Sequence, residues 1–504
     1  MPQSPRLLRP SSNFTPRSIS GLALWLDASD TASTYTTDAG PVTAVSSPLD
    51  ISGCALWLDG ADSSAASMTL NGSLVEAWKD KSGSGNNVTA SGGLRPTLAG
   101  NALNSRSVLT FGGSQGLTGN LSASISTNAY SVFVVCRISG SATNGRVLST
   151  AGAGSDFASG SVIPCVSNSG TLSAFAGTQG TNASGVTGFT SYGVFAGVLS
   201  SNLVTNSAGG MSVASSAATL STAVTRLGVG VAAQGGTGFN TCDIAEIILY
   251  HTALSTADRA RVEAYLAQRW GISAVHAQAT ASSDPVGYWA DKSGNARHAT
   301  QATAASRPTI SATKQNGRNA LAFNGSSQSL SIASYNAENG LPGLTRYAVA
   351  SMSSAGPAYL ARVWNGGGDA IVSTVSGELR FFAGASAYSA VSSTNYGLLT
   401  SGTNIIGSVY DGTAGSVAAG IKPYYNGAAI PPSSTSGTLP TTLPSGTPGF
   451  WIGSNIGVNG FWTGRIIEYI SYSRALGSAD RQRLERYLSA KYGITLAPQV
   501  SNAD

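Results

Sequence analysis

Ile19-Ser20-Gly21-Leu22-Ala23-Leu24-Trp25-Leu26-Asp27 returns about 30 residues later as Ile51-Ser52-Gly53-Cys54-Ala55-Leu56-Trp57-Leu58-Asp59, an interval far shorter than a domain. The remainder of the repeat appears at two distant places. Trp78-Lys79-Asp80-Lys81-Ser82-Gly83 is echoed by Trp289-Ala290-Asp291-Lys292-Ser293-Gly294, and Leu254-Ser255-Thr256-Ala257-Asp258-Arg259 through Ile272 by Leu476-Gly477-Ser478-Ala479-Asp480-Arg481 through Ile494. Two openings are followed by one middle and end, then by a second middle and end. Tandem duplication does not produce that order, whereas insertion of one copy inside another does.

The order predicts a basic arm at residues 1–18, an outer domain built from 19–47 plus 280–495, an inner domain over 50–274, and a tail at 496–504. It also predicts that Leu22 to Leu26 pairs with strands beyond residue 280 and that Trp25 shares a core with Trp289. Charged residues make up only 10% of the chain while the hydrophobic fraction is 42%, which argues for folded domains without long exposed helices. Short β-branched and aromatic runs punctuated by Gly and Asn point to all-β sandwiches. One helix is expected to close each copy. Ser255 caps the first, Val262, Tyr265, Leu266 and Trp270 share its inner face, and Gly271 ends it; Leu484, Tyr487, Leu488 and Tyr492 face inward on the second.

These motifs resemble the concanavalin A-like, laminin-G-like jelly rolls of bacterial secreted proteins and tailed-phage virion proteins. The likeness rests on Gly-Leu-Ala-Leu-Trp-Leu-Asp, the Trp-x-Asp-Lys-Ser-Gly turn, the Arg-Pro pairs at Arg95-Pro96 and Arg307-Pro308, the Leu-x-Phe-x-Gly runs at Leu109 to Gly113 and Leu321 to Gly325, and the closing Ile-x-Glu strand with its helix. It implies two jelly-roll β-sandwiches, one inserted in a loop of the other, and a non-enzymatic structural protein on a phage surface, as capsid decoration, head fibre or tail-associated adhesin. The alternative is a secreted or envelope carbohydrate-binding module of a bacterium. Virion partners through the arm, a homo-oligomer and cell-surface glycans are the implied partners, with no nucleic acid and no membrane insertion. No export signal opens the sequence, which fits assembly in a host cytoplasm and location on the virion surface.

Candidate residues follow from side-chain chemistry. Arg6, Arg9 and Arg17 give the arm its charge and are the candidates for virion anchoring. Trp364, Asn365, Asp369, Tyr388, Tyr424 and Tyr425 combine aromatic faces with hydrogen-bonding groups in Gly-rich turns, the chemistry that sugars require. Glu246 and Glu468 occupy matching positions in the final strands and lack the clustered second carboxylate of a glycosidase, so hydrogen-bond acceptance is expected of them rather than catalysis. Asp80 and Asp291 are expected to close Asx turns. No metal site is expected, and a structural calcium ion is the one cofactor the resemblance admits. His251, His276 and His298 form no triad, and Cys54, Cys136, Cys165 and Cys242 are expected to be free thiols.

Overall fold

The strand Leu22–Asp27 of the first opening lies antiparallel to Thr463–Tyr472, with Asp27 opposite Glu468. The second opening, Cys54–Asp59, pairs in the same manner with Thr241–Tyr250, placing Asp59 opposite Glu246. In this computed structural model, residues 14–498 are described apart from 126–128, 141, 153, 157–161, 169–170, 177–184, 201–202, 218–222, 273–274, 354–356, 365–369, 374–377, 385–386, 393–401 and 447. The chain divides into two compact units, residues 1–40 with 278–504 and residues 41–277. Pro41 to Ser47, read from sequence as outer, therefore falls with the second unit. Both units are all-β, built from antiparallel strands with few helices.

The first unit contains an eight-stranded and a ten-stranded sheet. Its main core draws on both: Leu24, Leu26, Phe323, Ile466 and Tyr469 from one, Trp289, Leu330, Leu360, Phe450 and Ile452 from the other. A second layer holds Trp25, Tyr347, Ile467 and Ile470 against Leu484, Leu488 and Tyr492 of the helix Ser478–Tyr492. Alternate residues of a strand point to opposite faces. Leu24 and Leu26 consequently enter the intersheet core while Trp25 faces the helix, which corrects the expectation that Trp25 packs with Trp289.

In the second unit the described residues form one sixteen-stranded sheet, fourteen strands along a continuous pairing path joined where Leu74 meets Thr97 and two branching from it. Leu56, Leu58, Trp78, Phe111, Val132, Leu227 and Ile247 fill its main core. Helix Thr256–Trp270 is capped by Ser255, whose hydroxyl accepts from the Asp258 N–H at 3.1 Å, and ends at Gly271 with φ +64°. Only a residue free of a Cβ takes that left-handed turn without strain. Val262, Tyr265, Leu266 and Trp270 bury the inner face. The helix Ser478–Tyr492 begins at Gly477 without a side-chain cap and ends on Gly493 at φ +65°.

Residues 14–18 belong to the first unit rather than to an arm, a correction to the boundary at residue 18. Phe14 packs edge-on to Tyr487 with ring centroids 5.7 Å apart, and the Tyr472 hydroxyl donates to the Pro16 carbonyl at 3.0 Å. The same bond recurs in the second unit between Tyr250 and Pro48 at 2.8 Å, so the repeat opens with Thr15-Pro16 and Ser47-Pro48, upstream of the isoleucines. The tail boundary moves as well, because the Ala497 N–H donates to Asn426 at 2.8 Å.

Asp291 ties the two sequence-distant parts of the first unit together. Its Oδ1 accepts from the backbone N–H groups of Trp25 at 3.1 Å and Ser293 at 2.8 Å, and its Oδ2 from the Ser293 hydroxyl at 2.7 Å and the Arg297 N–H at 3.0 Å. Asp80 repeats this set with Trp57, Ser82 and Asn86. Asp291→Ala leaves buried donors without an acceptor and is expected to cost roughly 2 kcal/mol, read as a lower urea midpoint; an unchanged midpoint would show that water replaces the carboxylate.

Candidate functional site

Glu246 and Glu468 are fully buried. Glu468 accepts from Trp25 Nε1 at 2.6 Å, Tyr492 Oη at 2.5 Å and Lys491 Nζ at 2.8 Å. Glu246 accepts from Trp57 Nε1 at 2.7 Å, Trp270 Nε1 at 2.6 Å and Tyr265 Oη at 3.1 Å. Each glutamate faces an aspartate across the strand pair, Asp27 or Asp59. A basic residue bridges each pair: Lys491 Nζ lies 2.8 Å from both Asp27 and Glu468, while Arg269 reaches Asp59 at 2.6 Å and Glu246 at 3.2 Å.

Burial, with the neighbouring Asp27 charge, raises the pKa of Glu468. For Asp27 burial also pushes upward, but Lys491 and Lys292 outweigh it and hold the carboxyl below its usual value. Burial and Asp59 push Glu246 up to about 7. These carboxylates join opening strand, closing strand and helix.

The oxygens of Asp80 and Asp291 are engaged by their own turns, and among the described residues no group of three or more His, Cys, Asp or Glu side chains is arranged to hold a metal ion. All four cysteines are free, with Cys136, Cys165 and Cys242 buried and their thiols raised by burial. His276 hydrogen-bonds to buried Glu263 at 2.9 Å, a pairing the sequence spacing did not disclose.

The aromatic candidates separate onto two sheets. Tyr424 and Tyr425 lie on Ile421–Tyr425 of the eight-stranded sheet. Tyr425 packs on the intersheet core and Tyr424 on the helix layer, where the Arg481 guanidinium covers its ring at 4.1 Å. Neither joins a common platform with Trp364. Tyr388 lies on the ten-stranded sheet against Phe382, centroids 5.0 Å apart, with Arg380 over its ring at 4.6 Å. Asn365 and Asp369 lie outside the described residues, as do Arg6 and Arg9. Arg17 donates to the Lys292 carbonyl at 2.7 Å and so serves the first unit's own fold.

Trp364 stands on a face whose other members sequence reading missed. Ala358–Trp364 carries Tyr359, Arg362 and Trp364 outward while Leu360 and Ala361, at a bulge, turn inward. The Arg362 guanidinium lies 4.9 Å from the Tyr359 ring centroid and 4.2 Å from that of Trp364. Trp451 is directly opposite Arg362 on the neighbouring strand. Asn455 accepts from Arg362 and donates to Asn459 Oδ1 at 2.7 Å. Asn459 and Gly460 in turn line a cleft of about 410 Å³ with Pro357, Ala358, Val458 and Phe461.

Pairing permits a residue-by-residue comparison of the units. One row of the first unit runs Tyr35, Tyr288, Thr300, Ser331, Trp451, Arg362. The corresponding row of the second runs Thr69, Ala77, Thr89, Thr118, Gly228, Ser149. At Gly228 a Cβ would meet the Val231 carbonyl oxygen at 2.4 Å, so a loop covers that position. Trp451 and Arg362 are half-buried, and Trp364 is 38% exposed. The aromatic and cationic residues are specific to the first unit.

No family model and no curated protein matches the chain. Solved structures similar to it include a Trypanosoma rangeli sialidase, at 10% identity over 45% of this chain and 36% of that one, TM-score 0.30. Domain 4 of a GH43 extracellular arabinanase from Geobacillus stearothermophilus, in complex with arabinotriose, is matched at 14% identity over 42% of this chain and 97% of that one, TM-score 0.30. A Ruminococcus gnavus sialidase CBM40 bound to sialyllactose is matched at 12% identity over 32% and 93%, TM-score 0.25. The chain thus spans about a third of the first sialidase, and at these scores the likenesses carry no argument about activity or ligand. Sialidases recur among the matches, and the expectation of a protein that is not an enzyme is withdrawn.

Proposed function

We propose that this protein binds carbohydrate through the outer face of the ten-stranded sheet, with Trp364, Trp451 and Tyr359 as the aromatic surfaces. The observation that carries the reading is the replacement of Gly228 and Ser149 in one unit by Trp451 and Arg362 at matching positions of the other. A sandwich of this kind forms without the Trp451–Arg362 pair, so packing alone does not account for it. Adjacent strands stand about 4.8 Å apart, so the row from Thr300 to Arg362 spans about 14 Å. Sugar rings offer apolar C–H faces to aromatic rings and hydroxyls to neighbouring amides, and Asn455 and Asn459 supply those amides beside Trp364. Trp364→Ala is expected to weaken glycan binding roughly tenfold, the loss of one stacking contact, measured by affinity electrophoresis in polysaccharide gels. Equal retardation of parent and variant would remove Trp364 from the site.

The same proposal includes a nested pair of jelly rolls. Supporting it are the pairing of Leu22–Asp27 with Thr463–Tyr472, and the bridge between Tyr35 and Gln278 on either side of the interruption. A virion setting, with attachment through residues 1–13 and a symmetric oligomer, rests on the sequence resemblance. Mass spectrometry of purified particles tests it.

A further inference from the structure

We infer that the saccharide taken by this face is acidic, with Arg362 receiving its carboxylate; the inference rests on the carbohydrate-binding reading of the same face. Several enclosed arginines are paired with carboxylates: Arg146 with Asp156, Arg269 with Asp59, Arg307 with Asp38, Arg346 with Glu338, Arg481 with Glu485; Arg106 and Arg297 donate to backbone carbonyls instead. Arg465 pairs with no carboxylate among the described residues, but its three nitrogens donate to the Ser351 and Thr403 hydroxyls and the Thr313 carbonyl. Arg362 differs from both groups.

Its polar partners are the neutral Asn455 and Tyr359, its Nε is buried without an acceptor, and among the described residues no carboxylate pairs with it. Burial lowers its pKa, and its contact with Tyr359 offsets only part of the effect. Holding a partly desolvated guanidinium without a counter-charge is costly. The matching position in the other unit is Ser149, so the sandwich does not require a cation there.

The rings of Tyr359 and Trp364 flank the guanidinium and hold it against the sheet. A planar fork fixed in this way suits a carboxylate oxygen pair. An acidic sugar lying along the face would present its carboxylate to Arg362 while its ring meets Trp364 or Trp451. Neutral sugars would keep the stacking and lose the ion pair.

The test uses the full chain and a panel of uronate-containing oligosaccharides, each beside the same oligosaccharide after carboxyl reduction. Acidic members are expected to bind roughly tenfold or more tightly than their reduced partners, the worth of one charge-assisted hydrogen bond. Arg362→Gln should abolish that preference while leaving binding of the reduced members within about twofold. Arg362→Lys, which keeps charge but loses the planar fork, should fall between. Arg486→Gln, an exposed helix position, should leave the preference intact and so report any general attraction of polyanions to a chain of net charge +5. Thermal melts identify variants that fail to fold, and Arg362→Lys then carries the comparison.

Equal binding of acidic and reduced members, or equal losses in Arg362→Gln and Arg486→Gln, overturns the acidic ligand. Carbohydrate binding would still stand if those sugars depended on Trp364. Binding to no member of either series overturns both readings.

Discussion

Glu468→Ala is expected to destabilise the first unit by roughly 3–5 kcal/mol, because it removes one member of a buried, hydrogen-bonded ion cluster. The truncation orphans Trp25 Nε1 and leaves Tyr492 Oη with its longer contacts to Ser29 Oγ at 3.3 Å and Asp27 Oδ1 at 3.4 Å. Each buried donor left without an acceptor costs about 1–3 kcal/mol. Lys491 retains Asp27 at 2.8 Å, so the ammonium is not stranded, and removal of the glutamate relieves the carboxylate repulsion that raises its own pKa. That relief offsets only part of the loss, since an unpaired indole N–H, a weakened tyrosine hydrogen bond and a cavity remain. Glu468→Gln keeps an acceptor for Trp25 but presents an amide N–H₂ toward Lys491 and Tyr492, and should recover less than half of the loss. Hydrogen exchange of the intact chain localises the effect: peptides from Thr463–Tyr472 should lose protection while those from Thr241–Tyr250 serve as the internal reference. Loss of less than about 1 kcal/mol would mean that water enters and satisfies the orphaned indole N–H.

This cluster marks the boundary of what the amino-acid sequence disclosed. The helix Thr256–Trp270 was legible to its last residue, because Ser255, the spacing of Val262, Tyr265, Leu266 and Trp270, and Gly271 are all local signals. So were the opening strands and the Asp80 and Asp291 turns, each declared by repetition. The direction of Trp25 was also within reach: if Leu24 and Leu26 face the core, strand periodicity sends Trp25 to the other side. The partners of Glu468 were not, since Trp25 is 443 residues away and the Lys491 contact depends on helix placement. Arg362 was passed over for a different reason. Its neighbours Tyr359, Trp451 and Asn455 come from a bulged strand, a paired strand and a loop, while Tyr424 and Tyr425, adjacent in sequence, point to opposite faces of theirs. Adjacency along the chain suggested a platform where pairing across the sheet supplied one.

The contribution of Glu246 to the stability of the second unit is expected to fall as pH rises from about 4.5 to about 7. Its carboxyl titrates near 7 in the folded chain against 4.5 for an unperturbed glutamate. Below 4.5 the folded and unfolded forms both hold the proton and the residue contributes no pH dependence. Between 4.5 and 7 the unfolded chain releases it while the folded chain keeps it, so unfolding is favoured progressively as pH rises; above 7 the full difference has been lost, roughly 3 kcal/mol. The groups facing Glu246 decide the sign. Asp59 opposes its ionisation, Arg269 favours it, and the Trp57 and Trp270 N–H groups stabilise the anion without cancelling the burial penalty. Other groups in the unit titrate in the opposite sense, among them Asp62, whose pKa its contact with Lys81 holds low. The informative quantity is therefore the difference between the parent chain and Glu246→Gln, followed by denaturant unfolding from pH 4 to pH 8. Glutamine carries an uncharged amide whose N–H₂ opposes the Trp270 donor, a loss that does not vary with pH. The variant should therefore gain on the parent by roughly 3 kcal/mol across the window, most of it between pH 5 and 7. A difference that stays constant from pH 4 to pH 8 would place the Glu246 titration outside that window and would mean that Arg269 and the two indoles hold it ionised throughout.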